Sequence, residues 1–440
     1  MNITSRAVTF SVPSAINSTG RVRVSAGGLR RLRASVVLCV LVGFASWTGQ
    51  AQQQKSPELF TLIPNNKNLD FSAGLSLRVA RLKSIPTTGS IRFIRINQDA
   101  LTGDQVSISI PGTKSFDLAS SGPQKANAEY FAWIGKPHGQ QRTGSTLVAR
   151  NGEITGSITT PEGLYRIVPL GDRLHALVQV NSSKFPKDEP ESFRATEAQQ
   201  SKSMPPALPS ERDKKADTGP AQIDVLVAYT PAAKSAVNDI DATIALAVAE
   251  ANQSYVNSGI GIHLNLVDSF GVSYSEKGKS FETILHDFVD MKDVNDRRDR
   301  AGADLATLII NQSDYCGLAD AIMANAATAF AIVHYDCATG YYSFAHELGH
   351  LMGARHNEQA DTSGPPFTYG HGYLHNGPPS SWRTIMAYDC PTHCQRLQYW
   401  SNPNINYGTE PMGTVATNDN ARVLNQTAAT VASFRTRPSP

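Results

Sequence analysis

The sequence predicts a mixed α/β domain over residues 221–440, preceded by a small β-rich domain over residues 52–182. Two observations carry this. Beyond residue 221, apolar runs of strand length alternate with stretches of helical spacing, the order of an α/β layer structure. Before residue 182, apolar residues recur every second position around glycine-containing turns. The composition shift over residues 183–220 separates the two, and 440 residues are enough for two domains plus processing segments.

Residues 1–51 stand apart from both domains. Arg30, Arg31 and Arg33 precede an apolar run over residues 34–47, and small and polar residues then lead to Ala51, the order of a secretory signal. A permanent bilayer span needs about 20 apolar residues, so the run is too short for an anchor. Leu38 before Cys39 is not the small residue that a lipoprotein signal requires. The chain is therefore expected to be secreted, with no stable membrane association. A composition of 40 % hydrophobic and 18 % charged residues with a net charge of +2 is that of a folded globular protein and argues against nucleic acid as a partner.

In the β-rich domain, Val106, Ile108 and Ile110 alternate with Ser107 and Ser109, the period of a half-buried strand. Residues 147–157 predict a hairpin about Asn151-Gly152, and residues 165–180 a second about Gly171-Asp172. His138 and His175 have no partner at metal-ligand spacing and are expected to be ordinary polar residues. Residues 183–220 are rich in Lys, Glu, Asp, Ser, Gln and Pro and include Met204-Pro205-Pro206, too polar to offset the entropy of ordering. An exposed linker, and the natural place for processing, is expected there.

Residues 223–229, IDVLVAY, are a continuous apolar run suited to a buried strand. Residues 242–256 carry helical spacing, residues 260–267 and 305–310 read as strands, and a charged helix is expected over 281–300. Residues 329–335, AFAIVHY, predict a further strand, and residues 418–435 a closing helix. Cys316, Cys337, Cys390 and Cys394 remain once the signal is removed, an even set that favours two disulfides in an exported protein. Of the three connectivities, the local pairs Cys316 with Cys337 and Cys390 with Cys394 come first.

The segment HELGHLMGARH at residues 346–356 carries the chemistry. On a helix His346 and His350 are i and i+4, with Cβ atoms about 5 to 6 Å apart, so both imidazoles can reach one ion. Phe344, Leu348, Leu351 and Met352 supply the apolar face that buries such a helix. Gly353 can take a positive φ and turn the chain back, returning His356 as a third ligand. Three protein nitrogens leave one tetrahedral position of a zinc ion for water, the mark of a catalytic rather than a structural site. Glu347 is placed to take that water's proton. By average residue usage, the extended pattern should arise by chance in roughly one chain of this length in tens of thousands, so a surface accident is set aside.

The string HExxHxxGxxH resembles the metzincin zinc endopeptidases, and Thr384-Ile385-Met386-Ala387-Tyr388 is similar to their Met-turn, the tight turn beneath the metal. YYSFAHELGH, WRTIMAYDC, YWSNPN and NARVLN resemble more narrowly the bacterial peptidyl-Asp metalloendopeptidases, a reprolysin-like branch. The resemblance is strong from about residue 222 onward and loose before it. It implies a twisted mixed sheet with an active-site helix, one catalytic Zn²⁺ on His346, His350 and His356, and Glu347 as the base. It implies protein or peptide substrates, cleaved on the amino side of Asp, and makes residues 52–182 a propeptide domain, with a permanent substrate- or cell-wall-binding module as the alternative. Gly317 to Ala327 fall where such folds place the substrate-binding sheet edge. Asn357 departs from the Asp that usually follows the third histidine in reprolysins, which bears on the bonding beneath the site. Tyr388 has the spacing at which some metzincins bring a tyrosine to the metal. An Asp preference needs a cation in the pocket walled by the Met-turn chain. Arg383 is the first candidate, Arg355 and Arg396 the alternatives, and a structural or solvent-facing role for Arg383 stays open. His371, His375 and His393 are read as solvated loop residues. The competing reading is a secreted zinc-containing adhesin or toxin component that binds without cutting, and Glu347 speaks against it, because binding needs no base.

Overall fold

In the computed structural model the described residues are 56–64, 72–125, 130–137, 144–189, 219–378, 380–391 and 393–437. The expected signal over residues 1–51, with Cys39, lies outside them, as do His138 and residues 190–218 of the expected linker. Lys55–Pro440 is one compact unit, and none of its described helices is long and apolar enough to cross a membrane.

The β-rich part is a nine-stranded antiparallel sheet running from Phe60–Leu62 through Thr88–Ile96 and Leu174–Val180 back along the chain to Gln105–Ile108 at the other edge. Its edges meet. Leu59 N donates to Ser107 O (2.8 Å) and Ser107 N to Pro57 O (2.9 Å), so no long edge is left to pair with another chain. This closure also buries Ser107 alongside Val106 and Ile108, where the alternation predicted one solvated face. The expected Asn151-Gly152 hairpin forms, with φ of 50° and 78° at the two turn residues. In the second hairpin Gly171 pairs with Leu174, so the turn residues are Asp172 and Arg173, one position later than predicted. A helix at Ala73–Ser84 was not anticipated; Ser72 caps it, and Val79 and Leu82 turn its buried side to the sheet.

The α/β part has four parallel strands in the order Ile262–Gly271, Ala221–Tyr229, Leu305–Ile310 and Phe330–His334, with Gly317–Ala319 antiparallel at the edge. Apolar clusters cover both faces, which is why its strands read as continuous apolar runs. One cluster includes Ile244 and Ala251 of helix Ile240–Asn257 together with Phe344 and Leu348, the other Phe281 and Phe288. The expected charged helix is two, Phe281–Asp290 and Lys292–Ala301. The chain breaks at Met291, where Asn295 Nδ2 donates to the carbonyls of Val289 and Met291. Asn420–Val431 closes the fold, capped by Asp419.

The two parts pack through Tyr130, Ala132 and Val148 against Ala245, Leu246 and Ala249. Glu250 is buried beside this contact, accepting from Ser157 Oγ and from Gly340 N (2.8 Å), and burial pushes its carboxyl up to about 7. Arg166 pairs with Asp336, which also accepts from Thr87 Oγ1 (2.6 Å).

Candidate metal and substrate site

The helix Ser343–Leu351 starts after Tyr342, a left-handed residue, and carries His346 and His350 on its inner face. It ends in paired bonds from Gly353 N to His350 O (2.8 Å) and Ala354 N to Gly349 O (2.9 Å), with φ of 99° at Gly353. This αL ending sends the chain back, and His356 returns to the other two histidines. The three Nε2 atoms stand 3.0 Å from one another, all buried. His346 Nδ1 lies 2.9 Å from Ile385 O and His350 Nδ1 2.9 Å from Ala354 O. A carbonyl only accepts, so each Nδ1 carries the proton and each Nε2 presents a lone pair. Burial holds His346 well below the usual imidazole range, at about 4, so the ring is neutral. Buried acceptor nitrogens aimed at one point need a shared cation, and three imidazoles are a donor set that suits one.

Met386 is fully buried, its turn closed by Ala387 N to Thr384 O (3.1 Å). Asn357 takes up the departure noted in the sequence: its Oδ1 accepts from Tyr388 N (2.9 Å), which ties the residue after the third histidine to the Met-turn. His371, expected to be solvated, is buried, with Nδ1 2.8 Å from His356 O. His393 is exposed and bonded to Asp389 (2.7 Å), and His375 stacks on Trp382. His175 is buried and accepts from Ile154 N (3.0 Å). The disulfides are the two local pairs, Cys316–Cys337 and Cys390–Cys394.

Glu347 is buried on the side of the helix that faces the sheet edge. A Cβ added at Gly317 would stand 2.6 Å from Glu347 Cγ, so the edge strand makes room for this side chain only because residue 317 lacks one. Gly317→Ala should push Glu347 out of place and lower kcat by about 10²-fold, the size of a roughly 1 Å misplacement. Turnover alongside metal content tests this, and metal content is expected to be unchanged.

The sequence reading left the fourth position of the cluster to water. The structure brings Glu189 there instead. Its Oε1 lies 3.3 Å from His356 Nε2, 3.4 Å from His350 Nε2 and 3.9 Å from His346 Nε2, and the residue is 1 % exposed. Glu189 and the three histidines together form one metal-competent group. Within the stretch expected as an exposed linker, Ser183, Lys184 and Lys187 are exposed, Phe185 and Asp188 are half-buried and Glu189 is buried. Cys316 N donates to Lys187 O (2.9 Å), Phe185 stacks on Tyr341 at 4.0 Å, and Tyr388 Oη donates to Glu189 O while its ring lies 4.2 Å from that of His356. An unpaired edge strand that accepts an extended segment is the one feature of this arrangement that the sequence pointed to.

Beside Glu189, Asp188 meets two arginines. Arg396 Nη2 donates to Asp188 Oδ1 (3.0 Å), and Arg383 Nη1 is 3.6 Å from Oδ2. Burial opposes ionisation of Asp188, but the Arg396 and Arg383 guanidiniums outweigh it and hold the carboxyl below its ordinary range. Arg355 faces elsewhere, bonded to Asp361, Ser363 and Pro365 O.

Metallo-peptidase family M12, in its reprolysin-type form, matches residues 219–401. A peptidyl-Asp metalloendopeptidase of Stenotrophomonas maltophilia is 40% identical over 391 residues, covering 83% of this chain and 91% of that protein. Another, of Xanthomonas campestris pv. campestris, is 37% identical over 430 residues, 91% of this chain and 97% of that one. A third, of Pseudomonas fragi, is 44% identical over 186 residues, 42% of this chain and its own full length. Identity of this extent, over relatives matched nearly end to end, places the chain in their family: it is a metzincin metalloendopeptidase of the bacterial peptidyl-Asp metalloendopeptidase group.

Proposed function

We infer that this protein is a secreted zinc endopeptidase, made as a precursor, that cleaves peptide bonds on the amino side of aspartate. The observation that carries this reading is the convergence of three buried imidazoles beside Glu347. Residues 1–51 are the signal, 52–182 the propeptide domain, 183–220 the region of processing and 221–440 the catalytic domain. His346, His350 and His356 hold the zinc, and Glu347 is the catalytic base. A zinc ion held there would supply Lewis acidity toward the scissile carbonyl and toward a water molecule. Glu347 takes the proton of the attacking water and hands it to the departing amine. The edge Gly317–Ala319 pairs with the substrate backbone and holds the bond at the histidines, and the Met-turn fixes the imidazoles from below. A purely binding protein would have no use for a carboxylate buried at this place. The Asp preference rests on the names of the relatives and on the two arginines beside the metal ligands.

Digestion of a protein substrate by the processed form, followed by sequencing of the products, tests this reading. Fragments beginning with Asp are expected, and a chelator should abolish their formation. Cleavage that persists after complete metal removal would overturn it. His356→Ala should lose the metal itself, read as zinc per chain, because two imidazoles from one helix leave the ion under-coordinated.

A further inference from the structure

Arg383 and Arg396 are register partners in a short parallel pairing of Trp382–Arg383 with Gln395–Arg396. The pairing sets two guanidiniums side by side against one tyrosine. Arg396 lies 4.5 Å and Arg383 5.2 Å from the Tyr341 ring, Arg383 Nη2 donates to Tyr341 Oη (2.7 Å), and Arg396 Nη1 donates to Tyr341 O (3.1 Å). Both arginines are buried. Besides Asp188, Asp389 offers Arg383 a carboxylate, 3.6 Å from its Nε. Remove residues 183–189 and two buried cations face one partly exposed anion, an unfavourable imbalance that another carboxylate would relieve. Arginine suits that task, being permanently charged and able to grip a carboxylate from two directions.

We propose that Arg383, Arg396 and Tyr341 form the pocket that recognises the aspartate of the substrate, and that Asp188 occupies it in the precursor as a substrate mimic. The inference rests on the amino-side Asp cleavage proposed above, and it assigns that specificity to a pair of arginines rather than to Arg383 alone.

Chain direction explains why the mimic is not cut. In a substrate cleaved before Asp, the residue preceding Asp presents its carbonyl at the histidines. In the precursor it is Glu189, the residue following Asp188, that reaches them. The prosegment therefore crosses the cleft in the direction opposite to a substrate. Its bridge at Lys187 to Tyr315, beside the edge strand, is parallel. With Asp188 in the pocket, the Lys187–Asp188 bond lies on the side away from the metal ligands, and Glu189 offers them a carboxylate that has no bond to break.

Two measurements test the pocket. The first uses enzyme processed from full-length precursor and a pair of peptides differing only in Asp or Asn after the scissile bond. Arg396→Ala should lower the Asp-to-Asn ratio of kcat/KM by roughly 30-fold or more, the scale for truncating one partner of a buried charge pair, with Arg396→Lys recovering part of it. Arg383 also donates to Ala387 O (2.6 Å) at the Met-turn, so Arg383→Lys is the milder change there. An unchanged ratio in both variants would overturn the pocket while leaving Asp cleavage intact. A wild type indifferent to Asp would instead overturn the reading on which it rests. The second needs no turnover. In full-length Glu347→Ala precursor, nicked within residues 190–218, Asp188→Asn should release the propeptide domain at least tenfold faster, and the Asp peptide should displace it better than the Asn peptide. Equal release rates, or equal displacement, would show that Asp188 does not occupy a substrate pocket.

Discussion

Glu347→Ala should retain about one metal ion per chain and lose activity by about 10² to 10⁴-fold, the range that a general base contributes. The side chain is buried next to the histidines but is not one of the three that converge, so its removal leaves the donor set intact. What disappears is the only group in this mechanism able to take a proton from water and deliver it to the amine. The space vacated lies against Gly317, which has no side chain to refill it. Metal analysis and peptide turnover on the same preparation decide the matter, and near-normal turnover by a metal-replete variant would sink the mechanism.

A precursor carrying Glu189→Ala should hydrolyse peptides about 10- to 100-fold faster than the uncleaved wild-type precursor, the equivalent of about 1.5 to 3 kcal/mol for a hydrogen bond to a charged group. Among the described residues of the β-rich domain and the segment that follows it there is no cysteine to serve as a thiolate ligand. A carboxylate stands at that place instead, with Glu189 Oε1 within 3.9 Å of all three Nε2 atoms. Removing it frees the metal position, and it loosens the backbone that Tyr388 Oη holds at Glu189 O. Intact mass must confirm that the variant is uncleaved when assayed. Should it stay as silent as the wild type, latency would come from the packing of the β-rich part on helix Ile240–Asn257, and Glu189 would be incidental.

The sequence by itself determined most of the strand and helix order of the α/β part and which three histidines converge, and it put the local cysteine pairs first among three connectivities. Each of these is a short-range property: His346 and His350 are separated by one helical turn, and Gly353 needs only its own φ to return His356. It did not show helix Ala73–Ser84, whose two buried positions sit in a region otherwise patterned for strands. Tertiary structure alone decided what shares the site with the histidines. Glu189 and Asp188 stand in a stretch whose composition resembles a solvated linker, and an ionised carboxylate such as that of Asp188 is buried where cations offset its desolvation. Those partners are far along the chain: Asp188 and Arg396 are 208 residues apart. Arg383, picked out by its nearness to the Met-turn, acquired Arg396 as a companion through a two-residue parallel pairing too short to leave a hydrophobic pattern. Periodicity records which face of an element is buried. Which charge lies opposite which is set by the packing of whole domains, because a charge pair requires only that two side-chain tips meet.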